Sequence, residues 1–358
     1  MTLTLTALFF FSSLVAAEPR FEDAIASSRK ALAPLVEKKG VPGVSVAVAH
    51  RGRVVWAEGF GRASLELASP VTPETKFGIG SITKTLTTAL AEKLAEEGKL
   101  DLDAPLERAI PGFRHAGQGV TARLVAAHLS GMGDAWASSQ MHANAAYTTA
   151  EAIREIEKEP LRTPPGTETH YATGPFTLVA GAIESATGES FLDAMERRLV
   201  GPLGLADTVP NDRARVVPNR AAFYVRDAAG GPIRNAPFFD PSHKWAGAGY
   251  LSTASDLVRF GSALLAPGYL KKESLDDLFR PVRTKDGKET EYALAWRVTK
   301  DSEGRRVFHV PGGGPGISCW LVLFPDREFA FAILSNMTGA PVGGSEFDAV
   351  MEAFLGAP

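Results

Sequence analysis

A chain of 358 residues with 45% hydrophobic side chains can close a large core in one or two domains, and its 35 glycines and 24 prolines are scattered among periodic segments. Its 38 basic and 41 acidic residues leave a formal charge of −3 with no basic block, which excludes nucleic acid as a partner on electrostatic grounds. The one cysteine, Cys319, rules out an intrachain disulfide and reads as a small buried hydrophobe. Seven dispersed histidines without H-E-x-x-H spacing argue against a metal site, and no cofactor is expected.

The chain opens with "MTLTLTALFFFSSLVAAEPR", whose apolar run is short for a membrane span and whose "VAA" offers small residues for cleavage. Residues 1–17 are therefore expected to be a signal peptide of an exported, periplasmic or secreted protein. The absence of Lys or Arg before Arg20 leaves an N-terminal anchor as the alternative.

"RFEDAIASSRKALAPLVEKKG" has helical spacing and ends at a glycine suited to a C-cap. "VPGVSVAVAHRGRVVWAEGFGRA" alternates and turns at Arg51-Gly52, which predicts a β-hairpin. A helix follows from near Ser81, with Leu86, Leu90 and Leu94 on a buried face. Mostly helical patterns broken by loops such as "TPPGTE" continue to about Leu205. Near Trp245 a glycine loop leads into another helix that Thr253 and Asp256 can cap as a box. "EYALAWRV", "RRVFHV", "SCWLVLFP" and "EFAFAILSN" then read as strands, and "FDAVMEAFLG" as a last helix. Early and late strands bracketing a helical middle predict an α+β fold. Residues 18–80 and 246–358 would build an antiparallel sheet, with the mostly helical 81–245 inserted.

Ser81 and Lys84 stand three apart where "GIG" becomes a helix. The same spacing at Ser27 and Lys30 lies inside a helix, so context must separate the two. At a helix N-terminus the free N–H groups favour a developing negative charge, and residues i and i+3 share a face, so the Lys84 amine can reach the Ser81 oxygen. The bland alternative is a capping serine and a solvated lysine. A nucleophile also needs a second proton carrier and oxyanion donors. Tyr171, in a loop before a helix, and the glycines of "FHVPGGGPGISCWLVLFP" can supply them, although singly each reads as a packing aromatic and a turn.

In this order the three segments resemble the penicillin-recognising serine hydrolases: class C β-lactamases, D-alanyl-D-alanine carboxypeptidases and related esterases. The resemblance runs from about Phe21 to the C-terminus. S-x-x-K matches Ser81 and Lys84; Y-x-N matches Tyr171 but has Thr173 in place of asparagine; the third motif falls in "HVPGGGPG". "TARLVAAHLSGMGD", with His128, and "AGAGYLSTASDLVRF" are similar to further family segments. "NRAAFYV", "KWAGAGYLST", "PGYLK" and "YALAW" resemble in particular the mitochondrial β-lactamase-like serine protease of animals.

The resemblance implies a β-lactamase-like fold with the site between the sheet and the helical insert. It implies Ser81, Lys84 and Tyr171 as catalytic groups, and Thr173, His309, Gly312 and Gly313 for substrate and oxyanion. Counting back from Pro315-Gly316 puts Val310 at the usual His or Lys position, with His309 one residue early. Either a one-residue bulge brings His309 into the site, which is the expectation taken here, or the position is apolar. The implied function is hydrolysis of an amide, peptide or β-lactam, through a serine acyl-enzyme. The alternatives are a short-chain carboxylesterase and a penicillin-binding sensor or scaffold without turnover. S-D-N, E-x-x-L-N and G-x-S-x-G are absent from the sequence, which sets aside class A β-lactamases and α/β-hydrolases.

Overall fold

The computed structural model describes residues 21–140, 145–227, 230–237 and 239–357, so the expected leader lies outside the described residues. Helix α1 (Glu22–Glu37) forms as its periodicity predicts, turning Ala24, Ser28, Leu32 and Leu35 inward. Ser27 and Lys30 lie on its exposed side, so the second S-x-x-K spacing belongs to no site. Gly40, at φ +64°, turns the chain into β1 (Gly43–His50). Strand β2 (Arg53–Ser64) returns through Arg51 and Gly52, whose φ angles of 50° and 78° suit a two-residue type I′ turn.

Strands β3 (Ser69–Pro70), β4 (Arg297–Lys300), β5 (Arg306–Gly314), β6 (Ile317–Phe324) and β7 (Phe329–Ser335) complete the main sheet. Among the described residues it has seven antiparallel strands in the order β3-β2-β1-β7-β6-β5-β4. The N-terminal hairpin thus joins the last strand directly, with Val44 opposite Ser335 and His50 opposite Phe329. "EYALAWRV" yields a strand only from Arg297. Ala295 takes φ +68° and Ala293 N–H bonds to Trp296 O at 2.9 Å, a turn that buries the Trp296 indole instead of extending the ladder.

Helices cover both faces. The period-2 alternation of β1 sends Val44, Val46 and Val48 toward α1 and the C-terminal helix, Ser345–Leu355, which contributes Phe347, Val350 and Phe354. Ala47 and Ala49 face the other way, as do Ala330 and Ala332 of β7. These small side chains let the helix Ala254–Ala263 lie close, and a Cβ added at Gly261 would come within 2.5 Å of Leu323. The side chain of Thr253 caps that helix by accepting from the Asp256 amide, while the Asp256 carboxylate turns to Arg259 and to the Asp207 amide. The intervening chain supplies further helices, among them Ala122–Ala126, Thr149–Ile156 and Phe176–Thr187. Among the described residues it also supplies two small sheets, one pairing Phe77–Gly78 and Val209–Pro210 with Tyr250–Ser252, the other pairing Tyr224–Arg226 with Ile233–Asn235. Among the described residues no helix is long and apolar enough to cross a membrane.

At the centre stands α2 (Thr83–Glu96). Its leucines predict one buried face, but every residue from Thr83 to Glu92 is buried. The threonines make this tolerable: Thr85 donates to Ile82 O, Thr87 to Ala246 O and Thr88 to Leu294 O. Glu92 has no such answer. Its Oε2 lacks a partner, and burial raises its carboxyl to about 7, with the Arg123 charge opposing. A folded-state value above the ordinary 4.5 means that stability falls as the pH rises from about 4.5 to about 7. Glu92→Gln should therefore gain on the parent, by on the order of 1–3 kcal/mol, between pH 5 and pH 8. Urea unfolding at the two pH values measures this, and an equal difference at both would contradict it.

Candidate active site

Ser81 lies in a 3₁₀ turn, Gly80–Ile82, that leads into α2. Gly80 takes φ +47°, and a Cβ there would stand 2.7 Å from both the N and the O of Gly313. A Cβ on Gly312 would stand 2.2 Å from Ile79 O. The start of α2 and the end of β5 therefore cross backbone on backbone, which only glycine permits. Cys319 lies beneath the crossing, buried as expected, and donates weakly to Ile79 O at 3.3 Å. Burial raises its thiol far above the ordinary range.

The Ser81 oxygen is held by two groups. Lys84 Nζ donates to it at 2.9 Å, and Tyr171 OH lies 2.6 Å from it. Lys84 is 1% exposed and also donates to Thr173 Oγ1 at 3.1 Å and Gly247 O at 3.0 Å. Its Nζ sits 5.0 Å from the Tyr171 ring centre and 5.3 Å from that of Phe176. Burial by itself would raise the Tyr171 phenol; the Lys84 charge and hydrogen bonds to Ser81 and Lys84 outweigh it, and the net shift is downward. The Tyr171 ring lies on His128, centres 4.3 Å apart. Nδ1 of His128 accepts from the Ala172 amide, and burial, with the Lys84 and Arg297 charges, keeps this imidazole neutral well below its ordinary range. Asp134 fixes the same loop by accepting from the amides of Thr173 at 2.9 Å and Gly174 at 2.6 Å.

Two cavities open on Ser81. The larger, about 460 Å³, is lined by Lys84, Tyr171, Thr173, Tyr292, Arg297, Val310 and Gly312 among others. The smaller, about 80 Å³, has Asp134, Thr173, Phe239, Lys244 and Ile317 in its wall. Gly313 borders both.

Of the residues singled out from the sequence, Ser81, Lys84, Tyr171, Thr173, Gly312 and Gly313 come together. His309 does not, which corrects the expected bulge. Strands β5 and β6 pair without a slip, His309 opposite Val322 and Val310 opposite Leu321. Unbroken alternation turns His309 to the far face, where it stacks on Trp320 at 5.8 Å, and leaves the apolar Val310 in the cavity. The sequence reading passed over Asp134, Lys244, Tyr292 and Arg297. Arg297 donates to Tyr292 OH at 2.8 Å and brings a cation to the larger cavity, which the apolar Val310 also lines.

The sequence profile described as Beta-lactamase matches residues 29–353. The chain belongs to the β-lactamase family. It is a serine hydrolase of the β-lactamase and penicillin-binding type. The human serine beta-lactamase-like protein LACTB, mitochondrial, is 32% identical over 86% of this chain and 73% of its own length. A D-stereospecific amidohydrolase from Streptomyces sp. superposes with a TM-score of 0.75 at 25% identity, covering 93% of this chain and 99% of its own. The D-amino acid amidase from Ochrobactrum anthropi SV3, at 23% identity, shares the fold with a TM-score of 0.81 over 93% of this chain and 98% of its own.

The glycine crossing can be tested. Gly80→Ala should cost about 1–3 kcal/mol of stability and lower turnover at least tenfold, since strain and collision act together. Gly98, at φ +69° with nothing within 4 Å, is the control; its alanine variant should cost about 1 kcal/mol and leave turnover intact. Equal turnover in the two variants would show that the crossing does not position Ser81.

Proposed function

We propose that this chain hydrolyses an amide, in a peptide or a β-lactam, through an acyl-enzyme on Ser81. The observation that carries the reading is the Ser81 oxygen held between Lys84 at 2.9 Å and Tyr171 at 2.6 Å at the wall of an open cavity. Lys84 faces three acceptors, Ser81 Oγ, Thr173 Oγ1 and Gly247 O, which matches the three donors of an ammonium. We therefore infer that Lys84 holds these oxygens with its donors and that Tyr171, its phenol lowered by the Lys84 charge beside it, takes the serine proton as phenolate. The Ser81 oxygen bonds to the substrate carbonyl carbon. Tyr171 then gives the proton to the departing amine as the C–N bond breaks. Water repeats the sequence in reverse, losing a proton to Tyr171 and releasing Ser81. Backbone N–H groups of Ser81 and Gly313, brought together by the glycine crossing, serve as oxyanion donors, each worth about 3–4 kcal/mol in comparable sites.

Ester hydrolysis is the second reading. It is favoured by Thr173, whose short hydroxyl already accepts from Lys84 and offers a substrate amide less than an asparagine would. Turnover of a chromogenic cephalosporin supports the first reading, and turnover of p-nitrophenyl butyrate alone the second; a single-equivalent burst would mark a sensor. Export of the protein is supported by the leader-like Met1–Ala17.

Ser81→Ala should lower kcat by roughly 10⁴-fold or more with the fold intact, and Tyr171→Phe by about 10²–10⁴-fold. Because the active form is the phenolate and its pKa is lowered, kcat/KM should rise with pH through a midpoint below 10 and be lost as the pH falls. A rising limb that persists in Tyr171→Phe would assign it to another group.

A further inference from the structure

His128 is buried beneath the site, 3% exposed, on a backbone at φ +60° that a branched or bulky residue resists. Its ring is enclosed by those of Tyr171, Phe176 and Tyr292, with centres 4.3, 5.6 and 5.0 Å away. It is bonded to the chain on either side of Tyr171. The His128 carbonyl accepts from the His170 amide at 2.8 Å, and Nδ1 accepts from the Ala172 amide at 3.3 Å. With Nδ1 an acceptor, the ring proton is on Nε2, which has no hydrogen-bond partner among the described residues. The imidazole therefore has no route for a proton to or from Ser81. A phenylalanine would fill the same aromatic box without burying a lone N–H. What the imidazole adds is the acceptor at Nδ1.

We propose that His128 is a positioning residue for Tyr171: its carbonyl and its Nδ1 pin residues 170 and 172, so that the Tyr171 oxygen is held on Ser81 beside Lys84. The role rests on Tyr171 as the proton carrier proposed above. Burial raises the Tyr171 phenol, as does Asp134, while the Lys84 charge and hydrogen bonds to Ser81 and Lys84 lower it. Hydrogen bonds fail within about an ångström of displacement, and burial does not. A Tyr171 that drifts from its partners therefore titrates higher and meets Ser81 less often in a productive geometry. Burial, with the Lys84 and Arg297 charges, keeps the His128 ring neutral, so the Nδ1 acceptor persists into acid.

The test compares His128→Phe, which keeps a flat ring and removes the acceptor, with His128→Asn. The asparagine oxygen stands near the place of Nδ1, and its backbone tolerates the left-handed conformation. His128→Phe should lower kcat by about ten- to a hundredfold with KM changed less than about threefold, and should move the rising limb of kcat/KM to higher pH. His128→Asn should recover kcat to within about fivefold of the parent and return the limb. A parent-like kcat and limb in His128→Phe, or a loss in His128→Asn at least as large, overturns the role. Should His128→Phe not fold, His128→Gly, which this backbone accepts freely, takes its place with the same outcomes. If nothing turns over, or the limb survives in Tyr171→Phe, the proposed reaction fails and the positioning is read without it. The tyrosinate absorbance of Tyr171, taken as the difference between each protein and its Tyr171→Phe counterpart, should then titrate at higher pH in His128→Phe than in the parent and return in His128→Asn. An unmoved midpoint in His128→Phe overturns the proposal.

Discussion

The site depends on two backbones crossing with nothing between them. The turn that carries Ser81 and the glycine end of β5 approach so closely that a single methylene at Gly80 or Gly312 would collide with the opposite main chain. That approach sets where the Ser81 oxygen and the Gly313 amide stand relative to each other. Everything else at the site adjusts to it. Lys84 comes up from the next turn of α2, and Tyr171 is brought across by a loop that Asp134 and His128 hold from behind.

The second constraint is polarity at the centre. A helix buried on every side is usually apolar all round, yet α2 buries four threonines and a lysine within Thr83–Thr88. Three of those threonines return their hydroxyls to backbone carbonyls, and the lysine distributes its donors over Ser81, Thr173 and Gly247. The core around the nucleophile is thus tied together by directional bonds as well as by apolar contact, which favours one arrangement of these groups over near alternatives. Two groups fall outside that accounting: Thr83 Oγ1 at the start of the helix and Glu92 Oε2 beyond Thr88 have no partner among the described residues.

What could be read in advance follows from the range of the interactions involved. Ser81 and Lys84 were legible because their spacing is local and the glycines before them signal a special backbone. The sheet was legible from alternation at the two ends of the chain. Lys244, Asp134 and Arg297 were not, because each reaches the site across long stretches of sequence and carries no local pattern that marks it. His309 misled for a different reason: sequence adjacency to a motif says little in a strand, where one residue of register decides which face a side chain occupies. "EYALAWRV" misled because β-forming residues there pack Trp296 in a turn.

The pairing of β1 with β7 has a bearing on how the molecule comes into being. The central seam of the sheet joins residues 44–50 to residues 329–335, almost the whole chain apart. A nascent polypeptide must therefore carry the β1–β2 hairpin unpaired on one edge until residues 329–335 have been synthesised, while the helices between can assemble locally. Before that seam closes, Val44, Val46 and Val48 stand on an open strand edge, the kind of edge that invites pairing with another chain.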